Sequence, residues 1–261
     1  DEEGLMSVVN GLGNYNPPYL TLLYLLTLLP GPAIIKIKLL SVVFDILMGF
    51  IGYLIVKELD KGKYNFLSWV VILFLPTVIL NSSMWAQCDS IYTTFVLLSL
   101  YLLLKEEYSL SFLILGISFS FKLQFIFILP LYIILYFVNK KFLIFNFLLI
   151  PLGNILMCLP VIFMGMPLIN CFTTYLEQTT DYSVYLTRNL ANIYELLPNI
   201  KVLGYILFII TGLMFLVLLI YFLKRKKEIT KKEMVSIGLL SILIAVYFLP
   251  FKHERYMFMA D

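Results

Sequence analysis

Charged residues are scarce in this sequence. Only 13% of its 261 residues are Asp, Glu, Lys or Arg, against about 25% in an average soluble domain. A water-soluble fold could not cover its surface with so few charges, because 61% of the residues are hydrophobic and the mean hydropathy is +0.96. The sequence therefore predicts an integral membrane protein. The small net charge of +3 gives no reason to expect a nucleic-acid partner.

Residues that bind metals or form disulfides are also scarce. There is one histidine, His253, and there are three cysteines, which form neither a metal-binding spacing nor an even-numbered disulfide framework. We expect the three cysteines, Cys88, Cys158 and Cys171, to be small apolar side chains in helices. The sequence also lacks a phosphate-binding glycine loop and the HExxH and GxSxG motifs, so nothing supports ATP-driven or soluble-hydrolase chemistry.

Long apolar runs are abundant. A spanning helix needs about 20 apolar residues, and eight runs, several of them short, are candidate spans: 33–57, 65–80, 90–104, 108–121, 123–138, 142–164, 201–223 and 233–250. Hydrocarbon offers backbone amides no hydrogen-bond partner, so the runs predict helices. The polar residues at 121–124 predict two short helices that meet at a turn. The expected fold class is all-α, a polytopic transmembrane helical bundle of about eight spans.

The N-terminal segment is treated separately. Residues 17–30 are apolar but too short to span, and a helix lying in the outer membrane interface fits them better. The predicted domains are therefore residues 1–32, an external loop with this interfacial helix, and residues 33–261, a transmembrane domain with a long external loop at 165–200. The sequence starts without a methionine or a signal peptide, and we expect it to be a slice of a longer protein.

The basic residues predict the orientation of the chain. Cytoplasmic loops of membrane proteins carry an excess of Lys and Arg. With eight spans, twelve of the nineteen Lys and Arg residues fall on one face: Lys57, Lys61, Lys63, Lys105, Lys140, Lys141, Lys224, Arg225, Lys226, Lys227, Lys231 and Lys232. We interpret that face as cytoplasmic and the membrane as the plasma membrane. The opposite face then receives residues 81–89, 121–124, 165–200 and 251–256, where polar residues concentrate.

Two polar turns interrupt the apolar runs. Asp89 lies in "MWAQCDSIY" at the outer end of one span, where it could face a water-filled cavity. A carboxylate near the bilayer is a functional hypothesis by default, while Asp89 or Ser90 could also cap the following helix. Lys122 and Gln124 form the second turn. An ammonium there needs water, headgroups or an anion, and a lipid-linked phosphate would be such an anion.

Three further groups of polar residues are candidates for chemistry. "KHERY" at 252–256 combines a guanidinium, which fits phosphate oxygens, with an imidazole that can move a proton, although a solvated helix end is also charged. Asn189 and Asn192 have a spacing that would put both amides on one helix face, where they would bind sugar hydroxyls or cap the loop. Asp45, inside "SVVFDILMGF", is either a proton relay or a helix–helix hydrogen-bonding group.

Several motifs together resemble a known family. "NYNPPYL", "KLLSVVFD", "MWAQCDSIY", "SFKLQ", "LTRNLANIYELLP" and "HERYMF" occur in this order along the chain. The order resembles bacterial GT-C-type membrane glycosyltransferases, and most of all those similar to the GPI-anchor mannosyltransferases. The resemblance implies an inverting enzyme that takes a mannose-like hexose from a polyprenyl-phosphate donor. It implies transfer to a hydroxyl of a glycan, lipid or protein acceptor on the extracytoplasmic side of the membrane.

The resemblance also implies roles for individual residues. Donor phosphate binding falls to Lys122, His253 and Arg255, and sugar or acceptor binding to Gln87, Gln124, Asn189, Asn192, Glu254 and Tyr256. Asp89 is the candidate catalytic base. The alternative base is an acid of the family's first external loop, upstream of residue 1, of which Asp1, Glu2 and Glu3 are either a remnant or simple loop charge. The role of Asp45 stays open.

The sequence departs from the family pattern at one position. Leu123 replaces the proline of the family's K-P-Q motif. A divalent metal could bridge carboxylate and phosphate, but no cofactor is specified, because the sequence contains no ligand set for a metal.

The rival interpretations are a multi-span lipid or solute transporter or flippase, and a non-catalytic subunit that keeps the GT-C fold. Transporters usually show repeated halves, which this sequence does not.

Overall fold

The computed structural model describes residues 4–10, 15–60, 62, 64–175 and 185–260, apart from the side chain of His253. Most of these residues are helical, which confirms the all-α class. The α-helices are α1 (Met6–Val9), α2 (Pro17–Thr27), α3 (Ala33–Leu59), α4 (Leu67–Leu73), α5 (Pro76–Ile79), α6 (Asp89–Leu104), α7 (Tyr108–Phe121), α8 (Leu129–Val138), α9 (Leu149–Phe163), α10 (Lys201–Arg225) and α11 (Lys231–Phe248). Residues 170–175 are also helical.

Shorter elements join these helices. One π-helix, Leu80–Met84, follows α5 directly. There are 3-10 helices at Leu123–Ile128, Ile144–Leu148, Ile193–Leu196 and Glu254–Met259, and two short strands, β1 (Thr187–Arg188) and β2 (Lys252–His253). The predicted break near residue 122 is confirmed. Lys122 has extended backbone angles that end α7, and the 3-10 helix leads from there into α8.

Fewer helices are long enough to span a membrane than the sequence predicted. Among the described residues, α3, Ile144–Phe163 and α10 are long and apolar enough to cross a membrane, and a fourth span results if Leu67–Leu73 and Pro76–Met84, bent by 49°, are counted together. Pro76 breaks the run predicted at 65–80, because proline removes a helical hydrogen bond and its ring clashes with the preceding turn. The helices Asp89–Leu104, Tyr108–Phe121 and Leu123–Val138 are apolar but shorter than 18 residues. The structure thus supports membrane helices without supporting the count of eight.

The surface of α10 is consistent with lipid contact. Only 17% of its most apolar window is buried within the protein, although the mean hydropathy of that window is 2.9. Its exposed side chains include Tyr205, Phe208, Ile209 and Val217. Such a large apolar surface is rare on a soluble monomer.

The described residues divide into two compact units. The first comprises Asp1–Phe125 and Phe145–Gln178, and in it α6 packs against α3 and α7, while α7 packs against α9. Glycines allow α7 and α9 to touch backbone to backbone. A Cβ at Gly116 would lie 2.2 Å from the carbonyl oxygen of Ile150, and a Cβ at Gly153 would lie 2.4 Å from that of Leu113. Small residues at helix crossings are typical of membrane bundles.

Hydroxyl groups join α6 to α7 in the same unit. The Ser99 hydroxyl donates to the carbonyl of Ser111 at 2.7 Å, and the Ser111 hydroxyl donates to the carbonyl of Ser99 at 2.7 Å. The interfacial helix predicted over 17–30 exists as α2, although its place relative to a membrane stays a prediction. The side chain of Asn16, just before α2, donates to the carbonyl of Phe121 at 2.8 Å. That bond fixes the start of α2 at the end of α7.

The second unit comprises Ile126–Ile144 and Thr179–Asp261. Here α8 packs against α10 and α11. The side chain of Asn139 exchanges two hydrogen bonds with the backbone of Ile229, and Thr230 with Glu233 forms a capping box at the start of α11. The strands pair in parallel, with Arg188 opposite His253. The long loop predicted at 165–200 thus contains a strand and a 3-10 helix in its described part.

Candidate functional site

A buried ion pair lies where α6 begins and α7 ends. Asp89 is the first residue of α6, and Lys122 follows the last residue of α7. The two helices form a hairpin, so residues 33 positions apart in sequence meet at the same end of it. The Lys122 ammonium donates to Oδ1 of Asp89, and the carboxylate is only 1% exposed. The second polar turn of the sequence therefore supplies the counter-charge of the first.

Two further side chains complete this cluster. Asn81, in the π-helix, donates through Nδ2 to Oδ2 of Asp89 at 2.9 Å, so each carboxylate oxygen has a donor. The Lys122 Nζ lies 5.6 Å from the centre of the Tyr92 ring, within the range of a cation–π contact. Asn81 and Tyr92 were not predicted from the sequence. The only signal was that both lie within eight residues of Asp89 in the same polar segment.

The ion pair corrects two expectations for Asp89, and it identifies the anion that Lys122 contacts. Asp89 does not face a water-filled cavity, because it is buried, and it is not the helix cap, because Cys88 holds that position without a side-chain bond. Burial alone would lower the pKa of Lys122, but the Asp89 carboxylate beside it raises that pKa above its ordinary value. Lys122 therefore stays an ammonium, and the anion that it contacts in the structure is Asp89.

A second buried acid lies close by. Asp45, in the middle of α3, is 5% exposed and accepts a hydrogen bond from the Ser82 hydroxyl at 2.7 Å. Ser82 follows Asn81 in the π-helix. Two roles were left open for Asp45, a proton relay and a helix–helix hydrogen bond. The bond from Ser82 is a hydrogen bond between two helical segments. The first unit thus brings together Asp89, Lys122 and Asp45 around one π-helix.

The segment 252–256 carries a different arrangement, in the second unit. Lys252 is 6% exposed, and its Nζ lies 3.6 Å from the ring centre of Phe127 and 5.0 Å from that of Tyr256. No carboxylate of the described residues lies within the 4.0 Å of an ion pair. Burial lowers the pKa of Lys252, while the two rings favour the charged form and oppose that shift.

The other predicted residues of this segment lie in β2 and in the 3-10 helix that follows it. His253 pairs through its backbone with Arg188, and its side chain lies outside the described part of the chain. Glu254 is exposed and Arg255 half-buried in the 3-10 helix Glu254–Met259. Lys252 was predicted as part of the "KHERY" motif, but no individual role was assigned to it from the sequence.

The two asparagines of the long loop do not share a helix face. Asn189 is exposed and has a left-handed φ of 55°, while Asn192 is extended, with φ −134° and ψ −179°. The prediction was wrong because a left-handed residue breaks the 3.6-residue repeat on which it rested. The Asn192 carbonyl oxygen caps the 3-10 helix by accepting from the Tyr194 backbone at 3.0 Å. Its Nδ2 is buried without a hydrogen-bond partner among the described residues.

The two glutamines lie near the ion pair in sequence. Gln87 is half-buried, and its backbone carbonyl accepts from the Ser41 hydroxyl at 2.8 Å. Gln124 is largely buried in the 3-10 helix after Lys122. The Gln87 side chain donates to the backbone carbonyl of Trp85 at 3.4 Å. The sugar- or acceptor-binding roles assigned to the two glutamines stay predictions.

The cluster in the first unit can perform a limited chemistry. It offers one ammonium, two carboxyl groups, an amide and hydroxyls, which can hold an anion, orient hydroxyl groups and accept a proton. The described residues contain no group of three His, Cys, Asp or Glu side chains that could hold a metal ion. Comparison of the chain with family models, with curated proteins and with solved structures gave no match.

Proposed function

We propose that the chain belongs to a membrane glycosyltransferase. It would transfer a mannose-like hexose from a polyprenyl-phosphate donor to an acceptor hydroxyl, with inversion, on the outer side of the plasma membrane. The observation that carries the proposal is the buried Asp89–Lys122 pair. It joins two of the motifs on which the resemblance to GT-C glycosyltransferases rests. The bundle of about eight spans belongs to the same proposal, with the shorter helices α6, α7 and α8 crossing beside the longer ones.

The proposed reaction needs an anion site and a base. The acceptor oxygen bonds to C1 of the sugar, the bond from C1 to the phosphate oxygen breaks, and polyprenyl phosphate leaves with the bonding electrons. Cations stabilise the negative charge that develops on the phosphate. The Lys122 ammonium has three N–H donors, so it can hold Asp89 with one and the phosphate with another. Arg255 and His253 are the further phosphate ligands of the proposal.

The ion pair also contains the candidate base. In the proposal, the donor phosphate takes over part of the hydrogen bonding of Lys122, and the Asp89 carboxylate accepts the proton of the acceptor hydroxyl. The alternative base is an acid upstream of residue 1. Gln87, Gln124, Asn189, Asn192, Glu254 and Tyr256 would orient the sugar and the acceptor, and the buried Nδ2 of Asn192 is a donor still to be satisfied.

The test is transfer from a radiolabelled dolichyl- or undecaprenyl-phosphate sugar in membranes that contain the full-length protein. Lys122→Ala and Arg255→Ala should each lower the transfer rate by about 10²-fold or more, the usual loss when one charge-stabilising group is removed. Lys105→Ala is the matched control, because Lys105 forms an exposed ion pair with Glu58, and it should leave transfer unchanged. Full activity of both test variants, at equal expression and membrane insertion, would contradict the proposal.

One observation favours a transporter or flippase as the second candidate. The helix pair Leu67–Leu73 and Pro76–Met84 is bent by 49°, and its π-helical end contacts both buried acids. Interrupted helices beside buried ionisable groups are common at transporter sites. Proteoliposomes would distinguish the two, because a flippase moves a polyprenyl-phosphate sugar between leaflets without transferring its sugar. A protein that does neither fits the non-catalytic GT-C subunit.

A further inference from the structure

Asp45 is surrounded by hydroxyl groups within a candidate membrane span. It lies near the middle of α3 and accepts from the Ser82 hydroxyl at 2.7 Å. The Ser90 hydroxyl lies 3.5 Å from that of Ser82 and donates to the backbone carbonyl of Ser41 at 3.3 Å. Hydroxyl groups thus connect three helical segments around Asp45: α3, the π-helix and α6.

In the part of the chain that the structure describes, Asp45 forms no ion pair. Among the described residues, no Lys, Arg or His nitrogen lies within 4.0 Å of its carboxyl oxygens. The elements packed against α3 are α2, α4, the π-helix and α6, and none of these four contains a basic residue. Within α3 the nearest lysine is Lys38, seven residues away, which corresponds to about 10 Å along a helix.

Apart from Lys36, Lys38 and Lys57 of α3 itself, the titratable groups on α3, α2 and α6 are acidic or phenolic. They are Tyr53, Glu58, Tyr19, Tyr24, Asp89, Tyr92 and Tyr101. None of them carries a positive charge. An ionised carboxylate without a counter-charge in such a place costs several kcal/mol. Asp89 avoids that cost through Lys122, whereas the donor to Asp45 among the described residues is the Ser82 hydroxyl.

The π-helix connects the two acids. Asn81 donates to Asp89, and the next residue, Ser82, donates to Asp45. A π-helical turn holds one residue more than an α-helical turn, and such turns occur frequently at functional sites. Because Asn81 and Ser82 are adjacent, the bond at Asp45 restricts where the Asn81 amide can lie.

We propose that Asp45 is a neutral, proton-carrying carboxyl group that positions the π-helix. Its bond to Ser82 fixes the turn, and the turn presents Asn81 to Asp89. Asp45 acts through Ser82 and Asn81, so it is a positioning residue that does not touch a substrate. This inference does not depend on the proposed glycosyl transfer, because it concerns the state of one carboxyl group and the structure of one turn.

Infrared spectroscopy of the purified full-length protein tests the protonation state. A protonated carboxyl group in a membrane interior gives a C=O stretching band above the amide region, which shifts when the proton is exchanged for deuterium. We expect this band in the wild type and in Asp89→Asn, and its loss in Asp45→Asn. A wild type without the band, or an Asp45→Asn variant that keeps it, would overturn the inference.

The reactivity of Cys88 tests the positioning role. Cys88 is buried immediately before Asp89, while Cys158 and Cys171 lie in another apolar cluster and serve as internal controls. Asp45→Leu and Ser82→Ala remove the bond and should speed the modification of Cys88 about tenfold, as expected when local opening becomes easier by one net hydrogen bond. Asp45→Asn keeps a neutral acceptor for Ser82 and should leave the rate near that of the wild type.

The remaining outcomes of this experiment decide against the inference. If Asp45→Asn exposes Cys88 as strongly as Asp45→Leu does, the native carboxyl group is ionised. If Asp45→Leu speeds the modification of all three cysteines equally, Asp45 supports the whole first unit rather than the π-helix. The proposed glycosyl transfer could fail its own test without affecting either result.

Discussion

Lys122 and Lys252 are both largely shielded from solvent, and each is stabilised by a different kind of partner. Lys122, in the first unit, forms an ion pair with Asp89 and lies near one aromatic ring. Lys252, in the second unit, lies over the rings of Phe127 and Tyr256 and has no carboxylate of the described residues within ion-pair distance. The charge of the first ammonium is balanced by a full negative charge, whereas the second is stabilised only by ring electrons.

The difference determines what each lysine leaves behind when it is removed. Loss of Lys122 would leave a buried carboxylate without a counter-charge, whereas loss of Lys252 would leave two aromatic rings that need none. A ring contact also leaves the net positive charge in place, so Lys252 can still attract an anion. The kind of partner, and not shielding from solvent alone, therefore determines what each lysine contributes to stability or to binding.

Removal of Lys122 should have the largest effect. Lys122→Met leaves the buried Asp89 carboxyl group without its counter-charge, and we expect a loss of about 3–5 kcal/mol in the free energy of unfolding, as for other broken buried pairs. The measurement is thermal unfolding in detergent, followed by a thiol-reactive dye that reports exposure of the three buried cysteines.

The double variant Lys122→Met/Asp89→Leu provides the control. It removes both charges and should recover much of the stability lost in the single variant. If the losses of the two single substitutions instead add up in the double variant, the ion pair does not stabilise the folded protein.

Removal of Lys252 should have a smaller effect and a different pH dependence. Lys252→Met keeps the apolar part of the side chain and removes its ammonium group. The rings stabilise that ammonium by about 2 kcal/mol, while burial destabilises it. Because the two effects oppose each other, the free energy of unfolding should change little. Because the folded-state pKa is lowered, the unfolded chain binds more protons between that pKa and the ordinary value. Wild-type stability should therefore rise with pH over this window.

The pH series separates the two contributions at Lys252. In Lys252→Met the rise with pH above neutrality should be weaker than in the wild type. An identical pH dependence in both proteins would mean that the rings fully compensate for burial. Phe127→Leu, which removes the nearer ring, should then steepen the rise.

An exposed pair should have the smallest effect. Lys105 is 46% exposed and contacts Glu58 at 3.3 Å. Solvent screens such a pair, so Lys105→Ala should change the free energy of unfolding by less than about 1 kcal/mol. A loss as large as that of Lys122→Met in the same thermal assay would show that burial does not control these differences.

The helices were largely predictable from the sequence. The apolar runs at 33–57, 108–121 and 201–223 correspond closely to α3, α7 and α10, because membrane helices are marked by composition alone. The polar break at Lys122 was also predicted correctly. The number of spans could not be predicted in this way, since one proline breaks a run and short helices look like long ones when flanking apolar residues are added.

The candidate site was predictable only in part. Asp89 and Lys122 were each selected from the sequence, but their contact follows from the hairpin of α6 and α7, which composition does not specify. The π-helix has no simple sequence signal, so Asn81 and Ser82 were overlooked. The asparagine prediction failed for a related reason, because the left-handed backbone at Asn189 cannot be recognised from residue spacing.

The π-helix has a mechanical consequence. Asn81 and Ser82 share a peptide bond, and each holds an acid from a different helix. A ligand that draws Asp89 away from Lys122 must therefore either break the Asn81 bond or pull the turn along with it. In the second case the strain passes directly to α3, so a spectroscopic label on that helix would report occupancy at the start of α6.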